Sequence, residues 1–257
     1  MGSSSHDNMS FLEHLEELRW HIIRSLIAII SAGFICFLMK DFIFDTIIFG
    51  PKKMDFPTYK FLCQAATFIG VETTFCGDEF PFIVQNRTMA GQFSAHVMTS
   101  IISGFIISFP YILYEFWKFI SPGLLEKEKA KSRGFIFISS LLFFIGVLFG
   151  YYIISPLSIN FLGTYQVSSQ VLNEIDLGSF ISLVRSSAIA SGIIFELPII
   201  IYFLTKAGVV TPESLVKYRK YALVLVLVLA AIITPPDVAS QIIVAIPIVV
   251  LLSLIHI

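Results

Sequence analysis

Four apolar runs constrain this chain more than any other feature: Trp20–Met39, Phe93–Phe119, Gly134–Ile154 and Phe180–Leu204. A helix that crosses a bilayer needs about 20 mostly apolar residues, and each run supplies them. Hydrocarbon offers no water to satisfy backbone N–H and C=O groups, so runs of this kind fold as helices. The second run is interrupted only by Pro110 and Glu115. Hydrophobic residues make up 56% of the 257, and only 14% are charged. A soluble domain carries roughly a quarter of its residues charged, so lipid is the expected solvent. A net charge of -1 excludes a strongly basic nucleic-acid binder.

Two shorter runs follow, Tyr221–Ile233 and Val238 to about Leu251, on either side of Thr234-Pro-Pro-Asp237. Each gives roughly 20 Å of helix against a hydrocarbon core of about 30 Å. A re-entrant hairpin and two short spans in a thinned bilayer both fit, and two short spans are favoured. Pro235 and Pro236 break a helix there, and Asp237 caps the next. The expected fold is an all-α integral membrane protein with six transmembrane helices, the last two short, in one membrane domain over 1–257.

Charge orients the spans by the positive-inside rule. Arg19 and Arg24 lie at the first span; Lys118, Lys127, Lys129, Lys131 and Arg133 flank the second loop; Lys206, Lys217, Arg219 and Lys220 lie in the fourth. The third loop, Tyr165–Asp176, has Glu174 and Asp176 but no Lys or Arg. Both termini are therefore expected in the cytoplasm, with residues 41–91 forming a long external loop. That loop exceeds the roughly 15 residues of a passive connector. Its Phe, Pro and Tyr content argues against disorder. In an oxidising compartment Cys63 and Cys76 would close a disulfide loop of about 14 residues, worth roughly 3 kcal/mol; the alternative is two free thiols. Cys36, inside the first span, reads as packing.

Residues 1–10 read as a disordered start or the remnant of an expression tag. No cleavable secretory signal is expected, because the first apolar run follows charged residues and continues as a full span. Residues 252–257, Leu-Ser-Leu-Ile-His-Ile, read as a non-native end of adapter-encoded sequence, with the natural chain cut near Leu251.

Several chemistries lack their motifs. There is no G-x-x-x-x-G-K-[ST] phosphate loop, no H-E-x-x-H zinc pair and no G-x-S-x-G nucleophile elbow. Five scattered histidines make no metal site. No enzyme activity and no cofactor are expected. The halves share no pattern of interrupted spans, so an inverted-repeat transporter finds no support. Ahead of the first span, Phe11, Leu15, Leu18 and Ile22 recur at helical spacing and predict a short amphipathic helix at the cytoplasmic surface. Its Glu13, Glu16 and Glu17 are unusual beside an anionic leaflet, which favours Lys and Arg.

His14-Leu-Glu-Glu-Leu-Arg19 resembles the H-L-x-E-L-R signature of the TatC family, the receptor subunits of twin-arginine protein translocation. Trp117-Lys-Phe-Ile-Ser-Pro-Gly-Leu-Leu-Glu-Lys-Glu128 resembles the family's first cytoplasmic loop, and Phe195-Glu-Leu-Pro198 the F-E-x-P of its fourth span. Thr234-Pro-Pro-Asp-Val-Ala-Ser-Gln241 resembles its T-P-P-D-x-x-S-Q turn, and Ala245-Ile-Pro247 the A-I-P of its last span. The five stretches are collinear from residue 11 to about 247. The family's usual aromatic-acidic pair and charged tail after that last proline are missing here.

The resemblance implies a non-enzymatic receptor for Arg-Arg signal peptides of folded cargo, in the inner membrane of a bacterium. It implies a hetero-oligomer with TatA/TatB-like single-span subunits. Glu17 and Glu128 would bind the signal peptide, with Arg19 and Phe119 shaping the site. A planar guanidinium fork pairs bidentately with carboxylate, whereas Lys is a point charge, so two carboxylates can select Arg-Arg by geometry. Glu196 lies inside an apolar span, where an ionisable group costs about 2.5–3.5 kcal/mol and marks function by default. The resemblance assigns it, with Thr234 and Gln241, to partner-helix contact. Burial for stability and a proton or ion relay are the other readings; the relay would make the chain a small-solute transporter coupled through Glu196. Another alternative is a scaffold within a membrane complex. Pro51, Pro198, Pro235, Pro236 and Asp237 are given structural roles, Pro198 by freeing a carbonyl one turn back.

Overall fold

The structure, a computed structural model, describes residues 11–70, 76–77, 79–121, 132–168, 170–206, 211, 220–221, 224, 228, 231, 241–243, 245–247 and 249–250. In chain order the elements are α1 (Phe11–Leu38), α2 (Pro57–Ile69), β1 (Ile83–Gln85), α3 (Gly91–Ile120), α4 (Ser132–Phe149), α5 (Ser155–Thr164), β2 (Glu174–Asp176), α6 (Leu177–Phe195) and α7 (Leu197–Lys206). Short π-helical segments occupy Phe42–Ile48 and Gly150–Ile154, and a 3₁₀ turn occupies Gly50–Lys52. Among the described residues, four helical stretches are long and apolar enough to cross a membrane: His14–Leu38, Gly91–Ile120, Gly134–Thr164 and Leu177–Thr205. Most of the two short runs expected after residue 220, including Thr234, Pro235, Pro236 and Asp237, lies outside the described residues, as does the end at 252–257.

The chain divides into two compact units: Met1–Met39 with Val97–Ser140, and Lys40–His96 with Leu141–Ile257. In the first unit, α1 is a single helix of 28 residues. The separate surface helix expected before the span is instead continuous with it. Leu, Glu and Arg between Phe11 and Trp20 are good helix formers, and no Gly or Pro intervenes before Gly33. At about 1.5 Å per residue α1 is roughly 42 Å long, some 12 Å more than the hydrocarbon core.

Glycine sets how closely α1 and α3 approach. A Cβ on Gly104 would lie 2.5 Å from the Gly33 nitrogen, 2.6 Å from the Ile29 oxygen and 2.7 Å from the Gly33 Cα. Small residues let helices meet backbone to backbone where lipid supplies no hydrophobic drive between them. One turn along α3, the Ser108 hydroxyl donates to the Ala28 carbonyl at 3.0 Å. Pro110 sits inside α3 without ending it.

α4 (from Leu141 on in the second unit), the π segment and α5 form one helical path, so the third apolar stretch runs ten residues beyond the expected Ile154, to Thr164. Pro156 lies within this path, and the Tyr152 carbonyl four residues before it, which its missing N–H cannot reach, accepts from the Thr58 hydroxyl. Gly146 and Gly150 seat this path on α6: their added Cβ atoms would meet the Ser191 oxygen at 2.8 Å and the Ser187 oxygen at 2.3 Å. The stretch from α6 to α7 breaks at Glu196, two residues before Pro198.

The loop over 41–91 holds α2, β1 and the π-helical and 3₁₀ turns that precede them. An all-α fold is corrected in one respect: β1 pairs in parallel with β2, Ile83 opposite Glu174 and Gln85 opposite Asp176. Three-residue strands carry too little alternation to stand out in sequence. Arg87 pairs with Glu174 at 3.1 Å, and the Asp176 carboxylate caps α6 by accepting from the Gly178 and Ser179 N–H groups. Cys63 and Cys76 are bridged, with their Cα atoms 5.1 Å apart. Cys36 is buried and free.

Tyr59 fixes α2 in place. Its side chain is 0% exposed, and its hydroxyl lies 2.9 Å from the Pro51 carbonyl oxygen and 3.0 Å from that of Pro156, sharing one proton between them. Burial pushes the phenol pKa up, so it remains a donor. Its contribution is intact below the ordinary tyrosine value of about 10 and is lost as pH rises toward the raised folded value. Tyr59→Phe leaves the buried carbonyls without that donor and is expected to destabilise the protein by about 1–2 kcal/mol. Chemical unfolding in detergent checks this, and an unchanged midpoint would contradict it.

Candidate functional site

The first unit gathers charged groups where the N-terminal half of α1 faces the C-terminal turns of α3. Glu17, Trp20, His21 and Arg24 fall at i, i+3, i+4 and i+7, one face of a helix. With Lys118 of α3 they line a cleft of about 360 Å³. An adjoining apolar cleft of about 190 Å³ is lined by Leu18, His21, Ile22, Ser25, Ile112, Phe116 and Phe119. His21 belongs to both.

Glu115 anchors the arrangement. It is 2% exposed, and its Oε2 accepts from His21 Nδ1 at 2.6 Å. The Arg24 guanidinium lies 3.6 Å from the same oxygen. A carboxylate at this depth is costly unless paired and hydrogen-bonded, and α1 supplies both partners. His21 is itself only 8% exposed, whereas the Arg24 side chain is half exposed. Lys118 sits over the Tyr114 ring, 4.6 Å from its centroid. His14 stacks on Phe119 with ring centroids 4.5 Å apart.

Of the residues singled out in sequence, Glu17 is half-buried at the polar cleft, and Phe119 lines the apolar one beneath His14. Arg19 is exposed and lines neither cleft. Glu128 lies outside the described residues. In the second unit Glu196 is 7% exposed at the break between α6 and α7, its N–H bonded to the Ile193 carbonyl at 3.1 Å. Its own carbonyl accepts from the N–H groups of Ile199 and Ile200. Gln241 is half-buried. Pro51 is buried, and its carbonyl is one of the two that Tyr59 reaches.

Sequence reasoning placed neither Glu115 nor His21 in a site, and used Arg24 only to orient the first span. The signal was present for Glu115: the insertion cost that singled out Glu196 applies equally to a carboxylate in Phe93–Phe119. Its partners were not legible, because 94 residues separate it from His21. Among the described residues no cluster suits a metal ion.

Residues 13–247 match the family model described as Sec-independent protein translocase protein (TatC). The chain is 46% identical over 246 residues to the TatC protein of Blattabacterium sp. subsp. Periplaneta americana, covering 95% of this chain and 92% of that one. It is 37% identical to the TatC protein of Aquifex aeolicus, with 95% and 91% covered. A crystal structure of a twin arginine translocase receptor, TatC, in DDM superposes with a TM-score of 0.72 at 35% identity, covering 95% of this chain and 98% of that one.

Proposed function

We propose that this chain, which belongs to the TatC family of Sec-independent protein translocase proteins, is the receptor subunit of a twin-arginine translocase. It is a multi-pass membrane protein of a non-enzymatic family. The observation that carries the reading is the Glu17 carboxylate, half-buried and lining a cleft between two membrane helices. A carboxylate so placed is partly shielded from water and accepts both N–H groups of a guanidinium fork. Glu128, eight residues beyond the end of α3, supplies the second carboxylate for a consecutive arginine. Phe119 and Arg19 shape and orient the site.

The full topology has six spans, the last two short, with both termini in the cytoplasm and residues 41–91 outside. The distribution of Lys and Arg supports it. Bacterial relatives support placement in a cytoplasmic membrane. Glu196, with Thr234 and Gln241, contacts single-span TatA/TatB-like partners. The solute-transporter reading of Glu196 finds no support among the relatives.

Crosslinking of a labelled Arg-Arg signal peptide tests the receptor reading. Glu17→Ala and Glu128→Ala are each expected to abolish the crosslink while the protein still inserts; unchanged crosslinking in both variants overturns the proposal. The external position of residues 41–91 has its own test. Cys63 and Cys76 are expected to react with an impermeant thiol reagent in intact cells only after reduction. Equal labelling without reductant would exclude the bridge.

A further inference from the structure

Glu17 shares its helix face with two potential partners of its own. His21 lies four residues on and Arg24 seven, and all three line the polar cleft. A carboxylate and a polar side chain four residues on are neighbours on a helix surface, and the pair can hydrogen-bond. The long Arg24 side chain leans toward the helix N-terminus, which is the direction of Glu17. Left to α1 alone, this face would satisfy its charges internally, and an arriving guanidinium would have to displace a resident one. The structure resolves the competition from outside the helix. Among the described residues, the His21 hydrogen bond and the Arg24 ion pair both end on Glu115 of α3, and no ion pair of this unit ends on Glu17.

We infer that Glu115 is a positioning residue for the Arg-Arg site: by engaging His21 and Arg24 it keeps Glu17 available to a peptide guanidinium. The inference rests on the receptor reading of Glu17. Glu115 touches no peptide in this scheme. Its buried position suits that role, since a carboxylate held out of the cleft draws the His21 ring and the Arg24 guanidinium inward without competing for the incoming arginines. His21 fixes the depth of the pairing through its short bond, and Arg24 is the competitor for Glu17, half exposed and held at a longer distance.

Removing the charge without the shape isolates the effect. Glu115→Gln keeps an oxygen that accepts from His21 but no longer holds a guanidinium, which releases Arg24 toward Glu17. With the full chain in lipid nanodiscs and a fluorescent peptide carrying two consecutive arginines, this variant is expected to bind roughly three- to fivefold more weakly, the effect of one partly exposed ion pair formed in competition. The double variant R24Q/E115Q lacks the competitor and is expected to recover to within about twofold of the unmodified chain, as is Glu115→Asp, which keeps the charge. A purely structural role for Glu115 predicts the reverse, that losing Arg24 as well deepens the defect. Unchanged binding in Glu115→Gln, or a double variant as weak as the single one, overturns the inference. If Glu115→Gln fails to insert, Glu115→Asp and the double variant carry the test, and a double variant far weaker than Glu115→Asp overturns it. Glu17→Ala separates the two levels. If it binds normally the receptor reading falls; if it loses binding while Glu115→Gln does not, only the positioning role falls.

Discussion

Replacing Glu17 with Gln is expected to weaken binding of an Arg-Arg peptide by roughly ten- to a hundredfold, the loss of one charge-assisted hydrogen-bonded contact worth about 1.5–3 kcal/mol. Gln preserves the size of the side chain and one acceptor oxygen, so the helix and the cleft remain and only the charge is lost. The His21–Glu115 bond at 2.6 Å does not involve Glu17, and α1 should stay seated on α3. The same variant should narrow the preference for Arg-Arg over Lys-Lys. A carboxylate offers two oxygens to the guanidinium fork, whereas the amide offers one oxygen and a competing N–H group. Titration of both peptides against the reconstituted protein reads the two effects together. An affinity unchanged within twofold would remove Glu17 from the site.

A larger structural effect is expected at the crossing of α1 and α3. Gly104→Val places its first carbon where the Gly33 nitrogen and Cα and the Ile29 oxygen already lie, all within 2.7 Å. These are backbone atoms, which no side-chain rotation can move aside, so the helices must separate. Overpacking of this kind costs about 1–3 kcal/mol. The consequence reaches the site, because the Ser108 bond to Ala28 and the Glu115 bond to His21 span the same two helices. Gly104→Val should therefore lower the unfolding midpoint in detergent and weaken Arg-Arg peptide binding together. A variant that is destabilised but binds normally would show that the cleft does not depend on this crossing.

The family motifs make the ends of the site legible from sequence. Glu17 stands in H-L-x-E-L-R and Phe119 in the motif stretch that begins at Trp117, at the end of the second span, and both line clefts between α1 and α3. Arg19 belongs to the same motif yet points elsewhere, because two residues along a helix turn a side chain through about 200° at 3.6 residues per turn. The centre of the site was hidden. Glu115 is conspicuous in an apolar run, but whether its cost is met by a serine, a neighbouring span or an α1 cation depends on which helix lies against it.

The solvent, the four long spans and the family are legible in the residues alone, since hydropathy and short motifs are local along the chain. So is the charge asymmetry behind the proposed orientation. Only the tertiary structure decided that α1 runs unbroken from Phe11, that β1 and β2 join two distant loops, and that His21 and Arg24 converge on Glu115. Contacts between residues 94 apart follow from helix crossing and close approach at Gly33 and Gly104, and the local pattern of either helix alone carries no record of them.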